Sequence, residues 1–195
     1  MHWYTILAYK VQSKLTLHKP PLQFIRILQR AKAKSSGWAG LGSFLGIFAI
    51  EQIGLLLELS NYASLFLIGS FGASAVLAYG APQALFSQPR NLIGGHCLSA
   101  LIGVTIFLLL GDQSILACPL AVSLSIFAMQ LTDTVHPPGG ATALIAVIGG
   151  SAVHKLGYWY VLCPVGLGAS IMLVVALLVN KLSCETNRRY PHSQD

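Results

Sequence analysis

Residues 131–145 read Leu-Thr-Asp-Thr-Val-His-Pro-Pro-Gly-Gly-Ala-Thr-Ala-Leu-Ile, a polar interruption inside an otherwise apolar stretch. Lipid offers no partner for bare backbone N–H and C=O groups, so a broken helix at membrane depth survives only inside protein or beside a cavity. Asp133 and His136 add ionisable side chains that are expensive in the same place. Both costs together point to a site in use. Pro137, Pro138, Gly139 and Gly140 then open a new helix, and a helix start carries partial positive charge that holds anions.

Composition sets the class around that stretch. Of 195 residues 54% are apolar and 9% charged, with a mean hydropathy of +0.67. A soluble domain carries about a quarter charged residues, so this chain reads as an integral membrane protein. At roughly 20 residues per span there is room for five or six crossings in one domain.

The net charge of +6 is uneven. Residues 1–38 hold Lys10, Lys14, Lys19, Arg26, Arg30, Lys32 and Lys34, seven of the twelve basic residues, and no acid. Beside a membrane domain this reads as a cytoplasmic flank under the positive-inside rule, not as a nucleic-acid surface. Pro20-Pro21, then Leu22, Phe24, Ile25, Ile27 and Leu28 among basic residues, fit an amphipathic helix on anionic headgroups, with a disordered basic tail as the alternative. The apolar start, Trp3 to Tyr9, is too short for a cleavable signal. No Ser-rich transit peptide is recognisable either, which favours a bacterial inner membrane. Cys97, Cys118, Cys163 and Cys184 stand singly and read as small hydrophobes.

The resulting organisation is a basic segment at 1–38, a membrane domain at 39–180 and a cytoplasmic tail at 181–195. The apolar segments run 39–59, 62–80, 92–110, about 114–131, 139–150 and about 158–180. The fifth, about 18 Å long as a helix, is a half-helix against a hydrocarbon core of about 30 Å. Loop charges favour six crossings with both termini cytoplasmic; the 60–61 loop carries no base, and Lys155 dissents. Gly72-Ala73-Ser74-Ala75-Val76-Leu77-Ala78 matches Gly140-Ala141-Thr142-Ala143-Leu144-Ile145-Ala146 at an offset of 68. That offset divides the chain into two three-segment units. Units with an odd number of crossings have opposite topology, so the fold class is an all-α membrane protein of about six segments, built as two inverted three-helix repeats with broken middle helices. Such repeats mark secondary transporters.

Phe71-Gly72-Ala73-Ser74-Ala75-Val76-Leu77, then Gln88-Pro89-Arg90-Asn91-Leu92-Ile93-Gly94-Gly95-His96, resemble the first signature of the HPP family. Val135-His136-Pro137-Pro138-Gly139-Gly140-Ala141-Thr142-Ala143-Leu144 contains the motif that names it. The likeness covers roughly residues 35–180. Members in photosynthetic bacteria and plant plastids are associated with nitrite transport, so the resemblance implies nitrite or a similar monovalent anion as substrate. The residues by themselves supply only a small inorganic anion.

Two helix starts form the expected cradle near the bilayer midplane: Gly72, Ala73 and Ser74 in one unit, Gly139, Gly140, Ala141 and Thr142 in the other, with His136 beside them. Glycines let backbone N–H groups approach a ligand, and Ser74 and Thr142 each add a hydroxyl donor. Close helix packing is the competing role for these small residues. Asp133 and His136 are candidates for joint titration and proton coupling, against a purely structural cap and carbonyl bond. Glu51, in the middle of the first segment, reads as a proton site or a partner for His96 or His136, and Glu58 as interfacial. Arg90 either draws anions to the cytoplasmic mouth or sets topology. His96 reads first as a packed histidine bonded to backbone.

No cofactor and no metal are expected. Glu51, His96, Asp133 and His136 have metal-binding chemistry, yet no spacing puts two ligands on one helical face. An intramembrane metal-dependent enzyme and a scaffolding protein are therefore the alternatives to a transporter, and the small bundle is compatible with a homo-oligomer.

Overall fold

The computed structural model describes residues 22–56 and 63–191. It divides into a unit ending at Lys34 and a second unit, Ser35–Asp195, which holds the family motifs. Described residues in regular structure are helical. In chain order they form α1 (Leu22–Leu56), α2 (Ala63–Ala75), α3 (Pro89–Leu110), α4 (Ala117–Leu131), α5 (Pro137–Ile148), the single turn α6 (Gly150–His154) and α7 (Leu167–Leu182). Short π-type turns at Val76–Gly80 and Val161–Gly166 extend α2 and precede α7.

Among the described residues, three stretches are long and apolar enough to cross a membrane: Lys32–Leu56, Pro89–Leu110 and Val161–Leu182. Ala117–Leu131 and Pro137–Ile148 are shorter apolar helices. The fifth segment is thus as short as expected, about 18 Å at 1.5 Å per residue. The backbone is already helical from Leu22 and runs unbroken through the basic stretch to Leu56, so the first helix begins well before residue 39. Pro20, Pro21, Glu58 and the 60–61 loop lie outside the described residues.

The middle helix of the first expected repeat differs from its reading. α2 passes through Gly72, Ala73 and Ser74 without a break, and its irregularity follows at Val76–Gly80. Gly72 carries no helix start, because nothing in Phe71-Gly72-Ala73 removes an N–H or blocks αR geometry as the prolines of the second unit do. The 158–180 segment is broken instead: Cys163 has extended backbone (φ −138°, ψ 118°) before Pro164, as expected of a residue preceding proline.

α3 is the central post. In its apolar window 44% of residues are buried, against 11% for Lys32–Leu56. Its close approach to α5 rests on missing side chains: a Cβ on Gly103 would lie 2.6 Å from the Ala143 carbonyl oxygen, and one on Gly139 2.9 Å from that of Gly95. Between helices in lipid, such small-residue contacts supply much of the packing attraction. The core around them joins Phe71, Ala75 and Tyr79 to Leu92, Ala100 and Val104, and to Tyr160, Val165, Ala169, Met172 and Ala176.

One end of the second unit collects Ser35, the 76–91 segment, residues 132–136 and residues 180–191. Arg188, within the expected tail at 181–195, is 1% exposed. Its Nη2 donates to the Tyr79 carbonyl (2.8 Å) and to Asn180 Oδ1 (2.7 Å), and its Nη1 to the Ser35 carbonyl (3.1 Å). Asn180 Nδ2 donates to the Ala78 carbonyl (3.2 Å), and Tyr190 Oη to that of Ser87 (2.8 Å). The π-type turn leaves carbonyls unpaired, and a forked guanidinium suits their collection.

Candidate functional site: a buried histidine pair

His136 owes its position to Pro137. The residue before a proline is pushed out of the α region, and His136 accordingly caps α5 in extended conformation (φ −137°, ψ 104°) with its ring fully buried. The approach to that cap is tied to the start of α3. Arg90 Nη2 donates to the Thr132 carbonyl (2.6 Å) and Asn91 Nδ2 to that of Val135 (2.9 Å). A Cβ on Gly94 would lie 2.7 Å from Thr134 Cγ2, so the 132–136 segment lies directly on α3. His96 sits two turns into α3, also fully buried.

One hydroxyl bridges the two rings. Ser74 Oγ lies 2.7 Å from His96 Nε2 and 2.8 Å from His136 Nε2. The ring centroids are 4.9 Å apart, and Phe71 covers His96 at 5.0 Å. The outer nitrogens are also engaged: His96 Nδ1 with Thr142 Oγ1 (2.7 Å), His136 Nδ1 with the Phe86 carbonyl (2.7 Å). Ser74 and Thr142, 68 residues apart, thus hold opposite nitrogens of the same imidazole. Each hydroxyl also lies near the carbonyl four residues back, that of Ser70 at 3.2 Å and that of Pro138 at 3.4 Å.

Donor counting assigns the protons of the neutral network. The Phe86 carbonyl can only accept, so His136 carries its proton on Nδ1 and leaves Nε2 bare. Ser74 donates to that Nε2 and accepts from His96 Nε2–H. His96 Nδ1 is then bare and accepts from Thr142. Every polar atom is satisfied, and all four hydrogen bonds run in one direction, from Thr142 to Phe86.

This placement corrects several expectations. His96 is bonded to two side-chain hydroxyls, not to backbone. Neither Asp133 nor Glu51 pairs with a histidine, because both nitrogens of each ring are taken by other groups. Asp133 is exposed in left-handed backbone (φ 52°), a conformation Asp tolerates better than most. Glu51 is half-buried on α1. The two-start cradle does not form either: α2 has no start at Gly72, and at α5 two of the first four residues are prolines without N–H. The N–H of Gly139 donates to the His136 carbonyl at 2.8 Å, which leaves at most that of Gly140. Ala73 and Ala141 are exposed on their helices, and added Cβ atoms on Gly72 or Gly140 would meet almost nothing. His96, at the eighth of the 22 residues of α3, is about 10 Å from that helix's start and about 5 Å from its middle.

A cavity of about 540 Å³ opens at the His136 end, lined by Phe86, Gln88, Arg90, Asn91, Asp133 and Val135 among others. Phe86 forms both its wall and the acceptor for His136 Nδ1. The sequence signals for Ser74, Thr142, His96 and His136 lie in the two motifs. Phe86 and Arg188 act through tertiary contacts, which leave no local pattern.

The chain matches the family described as HPP, transmembrane region, over residues 28–191. It is similar to two transmembrane proteins of Dictyostelium discoideum. One is 42% identical over 165 residues, covering 83% of this chain and 52% of the relative. The other is 46% identical over 158 residues, covering 80% and 54%. The chain spans about half the length of these curated relatives, and no solved structure matches it. With the match extending over both motifs and the helices that carry them, the chain belongs to the HPP family of membrane proteins.

Proposed function

We propose that this HPP domain is a transporter or channel for a small monovalent anion, with nitrite as the leading substrate, and not an enzyme. The observation that carries the reading is the Ser74–His96–His136–Thr142 cluster: four buried polar side chains, linked to one another, inside a bundle of lipid-compatible helices. Polar groups at that depth are expensive and mark substrate or ion pathways. The adjacent cavity carries Arg90 and Asn91 at its wall as donors for an entering anion, beside the Asp133 carboxylate. The polar cluster replaces the helix starts as the place where the anion passes.

The reading includes six crossings and an inverted repeat. Contacts at one end gather Ser35, Tyr79, Asn180 and Arg188. Those at the other link Thr105 to Tyr158 and Phe107 to His154. In this reading successive helices alternate between these ends. The shared use of His96 by Ser74 and Thr142 supports the repeat. The end bearing Arg90, Lys181, Arg188 and Arg189 is the basic one, which argues for a cytoplasmic face. A bacterial inner membrane gains no support from relatives in Dictyostelium discoideum.

Proteoliposome uptake compared across nitrite, nitrate, formate, bicarbonate and chloride tests the function. Protein-dependent uptake with nitrite preferred is the expected result; no uptake of any of them refutes it. Metal analysis of purified protein tests the non-enzymatic part, and a stoichiometric bound metal would count against it.

A further inference from the structure

We propose that His96, Ser74 and His136 form a proton relay, so that the coupling ion of the anion pathway is H⁺. The inference rests on the transport reading for its purpose and on the geometry of the cluster for its mechanism. In the neutral state the relay holds one proton per hydrogen bond, as counted above. Its two hydroxyls, however, each have a second acceptor waiting: the Ser70 carbonyl at 3.2 Å for Ser74 and the Pro138 carbonyl at 3.4 Å for Thr142. A carbonyl oxygen can accept two hydrogen bonds, so these two let the cluster take one extra proton at either end without leaving a polar atom unpaired.

Protonation at His96 Nδ1 turns the Thr142 hydroxyl to Pro138, and Nδ1–H then donates to Thr142 Oγ1. Transfer follows along the existing bonds. The His96 Nε2 proton moves to Ser74 Oγ as the Ser74 proton moves to His136 Nε2. Ser74 then donates back to His96 Nε2 and accepts from His136 Nε2–H. One proton has crossed from the Thr142 side to the cavity side, with every atom accounted for. His136 then holds the extra proton, its Nδ1–H still donating to the carbonyl of Phe86, a residue of the cavity wall.

Among the described residues no carboxylate bonds to either ring, so the charge of that extra proton has no built-in counterion there. Facing the cluster from α2 are Phe71 and Ser70, from α5 Thr142, and from the segment before α7 Tyr160, whose hydroxyl donates to the Thr142 carbonyl at 3.4 Å; on α3, Arg90 bonds the Thr132 carbonyl and Cys97 lies toward Gly166. Glu51 on α1 and Asp133 at the cavity hold no hydrogen bond to either ring, whose nitrogens are already taken. The compensating negative charge is therefore the transported anion itself, and proton and anion move together.

The test uses the full chain in phosphatidylcholine–phosphatidylglycerol vesicles with a trapped pH dye, an inward nitrite gradient and protein-free vesicles as the control for nitrous acid leakage. Wild type acidifies the lumen beyond the control as nitrite enters. Ser74→Ala lowers the protein-dependent proton flux about tenfold or more, the loss of one hydrogen-bonded step, whereas Ser74→Thr keeps it. Nitrite entry with no excess acidification overturns the relay and leaves transport standing. Absence of any anion uptake overturns the transport reading, and the relay is then judged on imidazole ¹⁵N NMR of the protein in lipid. Opposite tautomers, Nδ1–H on His136 and Nε2–H on His96, uphold it; the same tautomer on both refutes it.

Discussion

Gly95 and His136 meet with no room for a side chain between them: a Cβ on Gly95 would lie 2.5 Å from His136 Cβ and 2.9 Å from the Thr134 carbonyl oxygen. Neither neighbour can yield easily, since one belongs to a buried ring bonded at both nitrogens and the other is backbone. Gly95→Ala should therefore cost about 1–3 kcal/mol in stability, the range for overpacking, and disturb the Ser74 bridge. Gly140→Ala is the contrast, because its added Cβ meets only Val122 Cγ1 at 3.9 Å, an ordinary contact. Thermal unfolding in detergent checks both. Equal melting temperatures for Gly95→Ala and wild type would mean the helices separate more freely than their contact implies.

That contrast also shows what the sequence could convey. Apolar segments ending in glycine, proline or polar residues located α3, α4, α5 and the segment before α7 within a few residues, because hydrophobic length and proline chemistry are local. Ser74 and Thr142 were legible as a pair through their offset of 68. Their partner was not: nothing near His96 in sequence says that two hydroxyls from other helices meet its nitrogens. Glycine was ambiguous for a physical reason. The absence of a Cβ serves a ligand approach and a helix contact equally, and at Gly95, Gly103 and Gly139 it serves the contact. Arg188 was illegible because its acceptors are backbone carbonyls, which carry no residue identity.

The Thr142 hydroxyl has a definite partner, which sharpens what its removal does. Thr142→Val keeps the shape and leaves His96 Nδ1 a buried acceptor without a donor. An orphaned buried group costs about 1–3 kcal/mol. Thr142→Ser restores the donor and should be mild in both stability and anion uptake. If Thr142→Val unfolds and transports as wild type does, His96 Nδ1 is served by another group.

Arg188 gathers carbonyl and amide oxygens from three parts of the chain, and Arg188→Ala leaves the Tyr79 carbonyl and Asn180 Oδ1 without that donor. The expected destabilisation is about 3 kcal/mol, the scale of hydrogen bonds to a charged group. Arg188→Lys should recover only part of it, since an ammonium lacks the planar fork that reaches several acceptors at once. A melting temperature unchanged in Arg188→Ala would remove the clamp from the account.

Topology has a built-in reporter in Cys184, exposed where Cys97, Cys118 and Cys163 are half-buried. With the basic end cytoplasmic, a membrane-impermeant maleimide should label Cys184 only after permeabilisation. In a Cys184→Ser background, Ser151→Cys at the opposite end should label in intact cells. Labelling of Cys184 from outside would reverse the orientation, and labelling of both from the same side would end the six-crossing arrangement.

The pH dependence of uptake separates the histidines from the two carboxylates first considered with them. If the proton travels with the anion, uptake should rise as external pH falls, because the protonated cluster is the form that accepts a negative charge. His136→Asn keeps a side-chain amide that can donate to the Phe86 carbonyl yet cannot titrate, so it should flatten that dependence while the protein still folds. Glu51→Gln should leave the slope as in wild type, since Glu51 makes no bond to either ring. Asp133→Asn keeps a residue tolerant of left-handed backbone and removes a negative charge from the cavity. It should therefore raise apparent anion affinity without changing the slope. Initial uptake rates across a pH series, at several nitrite concentrations for each variant, separate slope from affinity. A slope flattened by Glu51→Gln and retained in His136→Asn would move the proton from the histidine pair to α1.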